Sequence, residues 1–161
     1  KFERNKIINN AFGNSVINGF KILKTHFNEN DEEIIAGATH NAYESSLGYR
    51  HKRSIKISKN DNVVSGIDEI IRTTETKGTK YSIRFHLNPG ISAVQTMGGR
   101  SVLIQISKNK SLIFKSHEEK LSIEKSIFFG ANKILNNLCI NISGDVISSI
   151  KKINWEIKKN I

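Results

Sequence analysis

Strict alternation of apolar and polar side chains limits this chain to folds built from β-strands. It is clearest in residues 81–88, where every second side chain is apolar. The apolar members are Tyr81, Ile83, Phe85 and Leu87. A period of two places successive residues on opposite faces of an extended strand. Pro89 and Gly90 follow and interrupt strand pairing, so the segment predicts one strand with an apolar inward face.

The same alternation recurs along the rest of the chain. Its apolar members include Val102, Ile104 and Ile106, then Leu138, Ile140 and Ile142, and finally Ile153, Trp155 and Ile157. Turn-forming residues separate such segments at short intervals, and residues 126–138 favour a strand and a loop over a turn of helix. We therefore predict an all-β fold, an antiparallel β-sandwich of about ten short strands that occupies residues 1–161 as a single domain.

The charge balance of the chain is strongly basic and uneven. Lys and Arg number 25 against 15 Asp and Glu, a net charge of +10, and residues 51–161 hold 19 basic and 9 acidic groups. Such an excess attracts polyanions, either nucleic acid, an anionic membrane or an acidic polysaccharide. The sequence carries no recognised nucleic-acid motif and no paired aromatics on adjacent strands, so we expect nucleic acid to be an unlikely partner.

Several classes of site and segment are excluded by simple counts. The chain has a single cysteine, Cys139, so it contains neither an internal disulfide nor a multi-cysteine zinc site. We expect Cys139 to be a small packed side chain. No apolar run reaches the roughly 18 residues that span a bilayer. No charged-then-apolar leader follows Lys1, so we expect no secretory signal in these residues. Phosphate-loop, HExxH and GxSxG motifs are absent from the sequence.

One segment concentrates side chains that could carry chemistry, and it reads THNAYESSLGYRHKRSIKI. Its candidate residues are His40, Tyr43, Tyr49, His51 and Arg53. Alternation extended back from Ile55 and Ile57 places His51 and Arg53 on the inward face of the strand. Burial of these polar side chains without partners would be costly, so we expect them near the end of the strand. Two interpretations follow. Either these groups face a cleft, or they form a structural network in which Arg53 pairs with a carboxylate and His51 is hydrogen-bonded.

A second candidate pair, Arg84 and His86, lies on the polar face of the 81–88 strand, which we take as a central strand. Arg can clamp a carboxylate or sulfate, and His titrates near neutral pH, but a solvated sheet face has the same pattern. A zinc site needs three or four converging ligands. The clustered donors are His40, His51 and His86, and their spacing does not establish one.

Four segments resemble, in their order and spacing, the C-terminal β-domain of heparinase II/III-like proteins, over roughly residues 15–159. They read ATHNAYESSLGYRHKRSIKI, YSIRFHLNPGISAV, LSIEKSIFFG and INWEIKK. The resemblance implies a part of a polysaccharide lyase that cleaves uronic-acid-containing polysaccharides by β-elimination. In that reaction a base removes the C5 proton of the uronate and an acid protonates the leaving oxygen. Family members join an N-terminal α/α toroid to the β-sandwich, with the active cleft between them.

The resemblance also implies that this chain is not active alone, because most catalytic groups of the family lie on the toroid. A family motif of the H-N-T-L type is matched only by His40 and Asn41, since Ala42 and Tyr43 follow. On this basis the expected catalytic residues are His40, Tyr43 and His51. The expected substrate-binding residues are Tyr49, Arg53, Arg84 and His86.

The resemblance further implies particular partners and cofactors. The partners are an acidic polysaccharide of the glycosaminoglycan or alginate type and the toroid of the same protein, with no membrane. No cofactor is required, although His40 or His51 is a candidate ligand of a structural zinc or other divalent metal in the full-length protein. A bacterial source is expected, in the periplasm or the cytoplasm. The alternative is a non-catalytic carbohydrate-binding or structural β-sandwich module of a larger protein.

Overall fold

The computed structural model describes residues 19–130 and 133–160. The strands are β1 (Ile22–Glu29), β2 (Glu33–His40), β3 (Tyr49–Ser58), β4 (Val63–Arg72), β5 (Thr79–His86), β6 (Ser92–Gln95), β7 (Ser101–Ser107), β8 (Lys110–Ser116), β9 (Leu121–Gly130), β10 (Lys133–Val146) and β11 (Ile150–Lys159). A single turn of helix, α1 (Glu44–Leu47), lies between β2 and β3. In this part of the chain, no helix has the length and apolar character needed to cross a membrane.

The strands form two sheets, and their pairings are antiparallel. The larger sheet has eight strands in the order β1-β2-β3-β4-β11-β8-β7-β6, and the smaller has three in the order β5-β10-β9. The inner faces of the two sheets enclose a shared apolar core, which is the arrangement of a β-sandwich. The predicted fold class is therefore confirmed, with eleven strands in the described residues.

The core is built from the alternating segments that the sequence displays. Ile140 and Ile142 of the small sheet and Val102 and Ile153 of the large sheet have no exposed surface. Trp155 is also buried, with its ring stacked parallel to Phe114 at a centroid distance of 6.0 Å. Cys139 lies on the opposite face of β10 and is buried too, which confirms its prediction as a small packed side chain.

The prediction that residues 81–88 form a central strand is wrong. β5 ends at His86 and lies at an edge of the three-stranded sheet, where it pairs only with β10 in the described residues. Alternation specifies which side chains face the core, and both an edge strand and a central strand satisfy it. The face itself is as predicted, because Tyr81 and Ile83 are buried while Arg84 and His86 are exposed.

Glycine turns connect the strands where the sequence marks them. Gly98 and Gly99 adopt left-handed φ values of 89° and 72° in the hairpin that joins β6 to β7. Within residues 126–138, the predicted strand is confirmed, because β9 continues to Gly130. The next strand, β10, begins at Lys133. Residues 131–132, where the loop is predicted, lie outside the described residues.

Gly66 of β4 makes room for the ring of Trp155, which lies directly opposite it on β11. A Cβ atom at position 66 would overlap the six-membered part of that ring. We expect Gly66→Ala to lower the free energy of unfolding by about 1–3 kcal/mol, because the buried ring must shift. Gly90→Ala is a useful comparison, since a Cβ there meets nothing, although its φ of 84° adds backbone strain. Equal denaturant midpoints for Gly66→Ala and the unmodified chain would contradict this expectation.

Candidate functional site

A network of polar side chains crosses four neighbouring strands on the inner face of the large sheet. His40 of β2 lies opposite His51 of β3, and Arg53 of β3 lies opposite Asp68 of β4. Trp155 of β11 completes the row. The register therefore brings side chains from distant positions in the sequence into one contiguous line, because residues paired across an antiparallel sheet share a face. The predicted inward orientation of His51 and Arg53 is confirmed by their common partner, Asp68.

Asp68 is the centre of this network and is fully buried. Its Oδ1 accepts hydrogen bonds from His51 Nε2 at 2.6 Å and Arg53 Nε at 2.7 Å. Its Oδ2 accepts from Trp155 Nε1 at 2.8 Å and Arg53 Nη2 at 3.2 Å. Burial alone would raise the pKa of this carboxyl, but the hydrogen bonds from His51, Arg53 and Trp155, with the charge of Arg53, hold the pKa below its usual value. Asp68 is therefore an ionised carboxylate, which accepts hydrogen bonds and donates none.

His40 continues the line outward from His51. Its Nε2 lies 3.0 Å from His51 Nδ1, and the backbone N–H of Ala42 donates to its Nδ1 at 3.2 Å. Burial lowers the pKa of His40, and unfavourable interactions of the protonated ring with the His51 imidazole and the Arg53 guanidinium lower the pKa further. His40 is therefore a neutral imidazole at neutral pH, able in principle to accept a proton.

Aromatic side chains flank His40 on two sides. The ring centroid of Phe20 lies 5.4 Å from that of His40, and the ring of Tyr43, which precedes α1, lies 5.7 Å away. Tyr43 is half-exposed. Next to this group is a pocket of about 330 Å³. Its walls are Tyr43, Leu47, Tyr49, His51, Arg53 and Ile70 on one side and residues 79–84 of β5 on the other.

Acid is expected to destabilise the folded chain in two steps. In the folded chain the pKa of His40 lies below its ordinary value of 6.5. When the pH falls below 6.5, the unfolded chain therefore binds this proton more readily than the folded chain does. The free energy of unfolding falls as a result. A second loss, below about pH 4.5, comes from the depressed pKa values of Glu69, which is bonded to Lys52, and of Asp68. Urea midpoints measured across this range check both steps, and His40→Gln should remove only the first. A midpoint constant from neutral pH to about pH 5 would contradict the His40 assignment.

The structure does not bring every predicted site residue into this network. The Arg84 guanidinium lies 3.1 Å from Glu124 on the outer face of the small sheet, and His86 is bonded there to Ser126 at 3.0 Å. Tyr49 reaches the pocket but is only 2% exposed, so its burial does not favour a role in substrate binding. The predicted roles of these three residues in substrate binding stay predictions.

Asp68 is the functional candidate that the sequence analysis missed. The segment VVSGIDEIIR alternates, and Asp68 is a lone carboxylate on the face that carries Val64 and Ile70. An isolated charge on an apolar face requires donors or a cation nearby. The carboxylate partner expected for Arg53 could therefore have been sought at position 68 from this signal.

Metal binding at the network would require its rearrangement. Among the residues that the structure describes, no group of three or more His, Cys, Asp or Glu side chains is placed to hold a metal ion. His51 uses both ring nitrogens, one toward His40 and one toward Asp68. A metal ligand needs a free lone pair, so the residues as placed do not fit a metal here. A metal ligand at His40 or His51 stays a prediction that this arrangement does not favour.

The solved structures similar to this chain are described as a heparan sulfate lyase or as heparinase III, and each is much longer than this chain. Heparan sulfate lyase HepC from Pedobacter heparinus superimposes with a TM-score of 0.72 at 14% identity, covering 91% of this chain and 22% of that one. A structure of heparinase III gives a TM-score of 0.68 at 15% identity, and the match covers 87% of this chain and 21% of that one. The BT4657 gene product, also described as heparinase III, gives 0.67 at 9% identity, covering 88% and 21%. At these identities the similarity shows the fold alone.

The sequence itself matches a family model over most of its length. A comparison with curated proteins finds no match. The family described as heparinase II/III-like, C-terminal, matches residues 9–156. This chain spans about a fifth of the length of the solved structures that it resembles, so it corresponds to one domain of such proteins. The chain belongs to the heparinase II/III-like family and is its C-terminal domain.

Proposed function

We propose that this domain belongs to a polysaccharide lyase that cleaves uronic-acid-containing polysaccharides by β-elimination. The substrate class is an acidic polysaccharide of the glycosaminoglycan or alginate type. Family membership and the fold shared with heparan sulfate lyases support this proposal. The organism of one structural neighbour supports a bacterial source, and its periplasm or cytoplasm as the compartment stays a prediction.

The observation that carries the proposal is the neutral His40, held in line with His51 and Asp68 beside the half-exposed Tyr43. β-Elimination needs a group that accepts the C5 proton and a group that protonates the leaving oxygen. An imidazole with a lowered pKa can do the first and a phenol the second. His40 and Tyr43 are therefore the assigned candidates, and His51 supports His40.

The charge of the domain supports a polyanionic ligand. Lys80 and Arg84 lie on β5, which forms one wall of the pocket, and Arg84 is paired with Glu124 on the outer face of the sheet. The whole chain carries a net charge of +10. Arg53, in contrast, directs Nε and Nη2 at Asp68, which leaves Nη1 for a substrate carboxylate or sulfate. Long-range attraction by these groups would weaken as salt is added.

The domain is proposed to work only together with the rest of its parent protein. The solved structures extend far beyond the region that this chain covers, which supports a larger multidomain parent. We assign an N-terminal α/α toroid as the partner domain and place the remaining catalytic groups on it. The isolated domain is accordingly expected to be inactive.

A second candidate, a non-catalytic carbohydrate-binding or structural module, is favoured by one specific observation. The side-chain polar atoms of Asp68 and His51 are fully engaged inside the protein, as expected of a network that only stabilises the sheet. Under this alternative, replacing His40 or Tyr43 would change polysaccharide turnover no more than it changes folding.

The substrate class can be tested by polymer shortening. We expect the parent protein, incubated with heparan sulfate, heparin or alginate, to shift at least one polymer to shorter chains in gel filtration, and to leave a neutral glucan intact. Added salt should slow the cleavage, because the polymer is held electrostatically. Shortening of the neutral glucan alone, or of no acidic polymer, would contradict the proposal.

A further inference from the structure

We infer that Asp68 is a positioning residue that fixes one proton on Nε2 of both His51 and His40 and leaves Nδ1 of His40 as the accepting nitrogen of the pair. The hydrogen-bond geometry alone assigns the protons. Only the link to catalysis rests on the proposed function. No contact of Asp68 with a substrate is implied, since its side chain is fully buried.

The direction of the hydrogen bonds is fixed first from the Asp68 end. Arg53 and the Trp155 indole can only donate, and three of the four bonds to the carboxylate come from them. The ionised carboxylate therefore can only accept from His51 Nε2 at 2.6 Å. It follows that His51 carries a proton on Nε2.

The geometry at the other end gives the same direction, through a longer hydrogen bond than the 2.6 Å bond to Asp68. The backbone N–H of Ala42 can only donate, so Nδ1 of His40 must present its lone pair. His40 then carries its proton on Nε2, which points at the lone pair of His51 Nδ1 at 3.0 Å. The two ends impose the same order of donors and acceptors, with each step directed toward Asp68.

This order determines where an incoming proton can enter. His51 has no free lone pair, so the pair gains a proton only at Nδ1 of His40, with loss of the Ala42 N–H bond. In the proposed β-elimination, the substrate C5–H bond would break, its electron pair would stay on the substrate, and the proton would form a bond to His40 Nδ1. The resulting imidazolium would be stabilised through His51 by the Asp68 carboxylate.

The test is the tautomeric state of each histidine, read from two-bond 1H–15N correlations of the 15N-labelled 161-residue chain at neutral pH. We expect both His40 and His51 as Nε2–H tautomers. Asp68→Asn should abolish this single state in His51, because the amide can present a donor as well as an acceptor. Trp155→Phe is the matched control, since it removes one donor to Asp68 and keeps the carboxylate, and it should leave both tautomers unchanged.

Either histidine found as the Nδ1–H tautomer or doubly protonated in the unmodified chain would overturn the inference, as would an unchanged His51 in folded Asp68→Asn. If Asp68→Asn does not fold, the His51 Nε2 proton of the unmodified chain decides. A strongly downfield chemical shift of this proton supports a short hydrogen bond to a carboxylate. A chemical shift like that of the ring protons of half-exposed His117 would overturn the inference.

The same variant separates this inference from the proposed function. In the parent protein, Asp68→Asn is expected to lower kcat by about 10²–10⁴-fold, with KM changed less. A parent without lyase activity would contradict the proposed function and leave the tautomer assignment standing. A kcat unchanged by folded Asp68→Asn would remove the catalytic link.

Discussion

Replacing Asp68 by alanine is expected to lower the free energy of unfolding of this chain by about 3–5 kcal/mol, because it leaves the Arg53 guanidinium partly buried without its counter-ion. The indole N–H of Trp155 and Nε2 of His51 also lose their acceptor. Urea unfolding at neutral pH measures the loss. It is expected to exceed that of any other single carboxylate in the described residues, since only Asp68 is fully buried.

Glu33 provides the matched control for Asp68. It pairs with Lys56 at 2.6 Å between the neighbouring strands β2 and β3, but the lysine side chain is 52% exposed. Exposed pairs of this kind contribute little, so Glu33→Ala should cost less than about 1 kcal/mol. If the two variants unfold at the same urea concentration, Asp68 is not the structural centre that the hydrogen bonds indicate.

Replacing His40 by alanine in the parent protein is expected to lower kcat by about 10²–10⁴-fold, the usual contribution of a group that transfers a proton. Tyr43→Phe should cause a loss of similar size, because only the phenolic hydroxyl is removed. Initial rates at saturating acidic polysaccharide measure both effects, and unfolding midpoints on the same samples report on folding.

His117→Gln controls for the loss of a histidine as such. His117 lies in the connection between β8 and β9, shares no hydrogen bond with His40, His51 or Asp68, and its imidazole is 3.8 Å from Glu156. We expect its replacement to leave kcat within about twofold, as for surface changes away from a site. Rates for His40→Ala that fall only as far as its folded fraction falls would favour the non-catalytic alternative.

The sequence was sufficient to predict the fold class and the inward face of the segment that carries the candidate site. Alternation in residues 51–57 places His51 and Arg53 on the face of Ile55, and the structure agrees. The sequence was not sufficient to predict neighbours across the sheet, because pairing between β3 and β4 depends on register and not on periodicity. The encounter of Arg53 with Asp68 is such a pairing.

Burial of individual aromatic residues was also beyond the sequence pattern. Tyr43 and Tyr49 lie six positions apart around α1, yet the first is half-exposed and the second is buried. The left-handed Gly48, with a φ of 74°, ends the helix and directs the chain into β3, so that Tyr49 begins the strand on its inner face. Local composition contains no signal for this difference, because it depends on how the turn packs against the loop after β4.

The proposed β-elimination by the parent protein can be checked from the chemistry of the new chain end. Elimination leaves a C4–C5 double bond conjugated to the uronate carboxylate, which absorbs in the ultraviolet, whereas hydrolysis adds water and leaves a saturated sugar. We predict that ultraviolet absorbance rises in step with polymer shortening, and that product masses are one water lower than those of hydrolysis products. Shortened polymers with saturated ends and no absorbance would contradict the account.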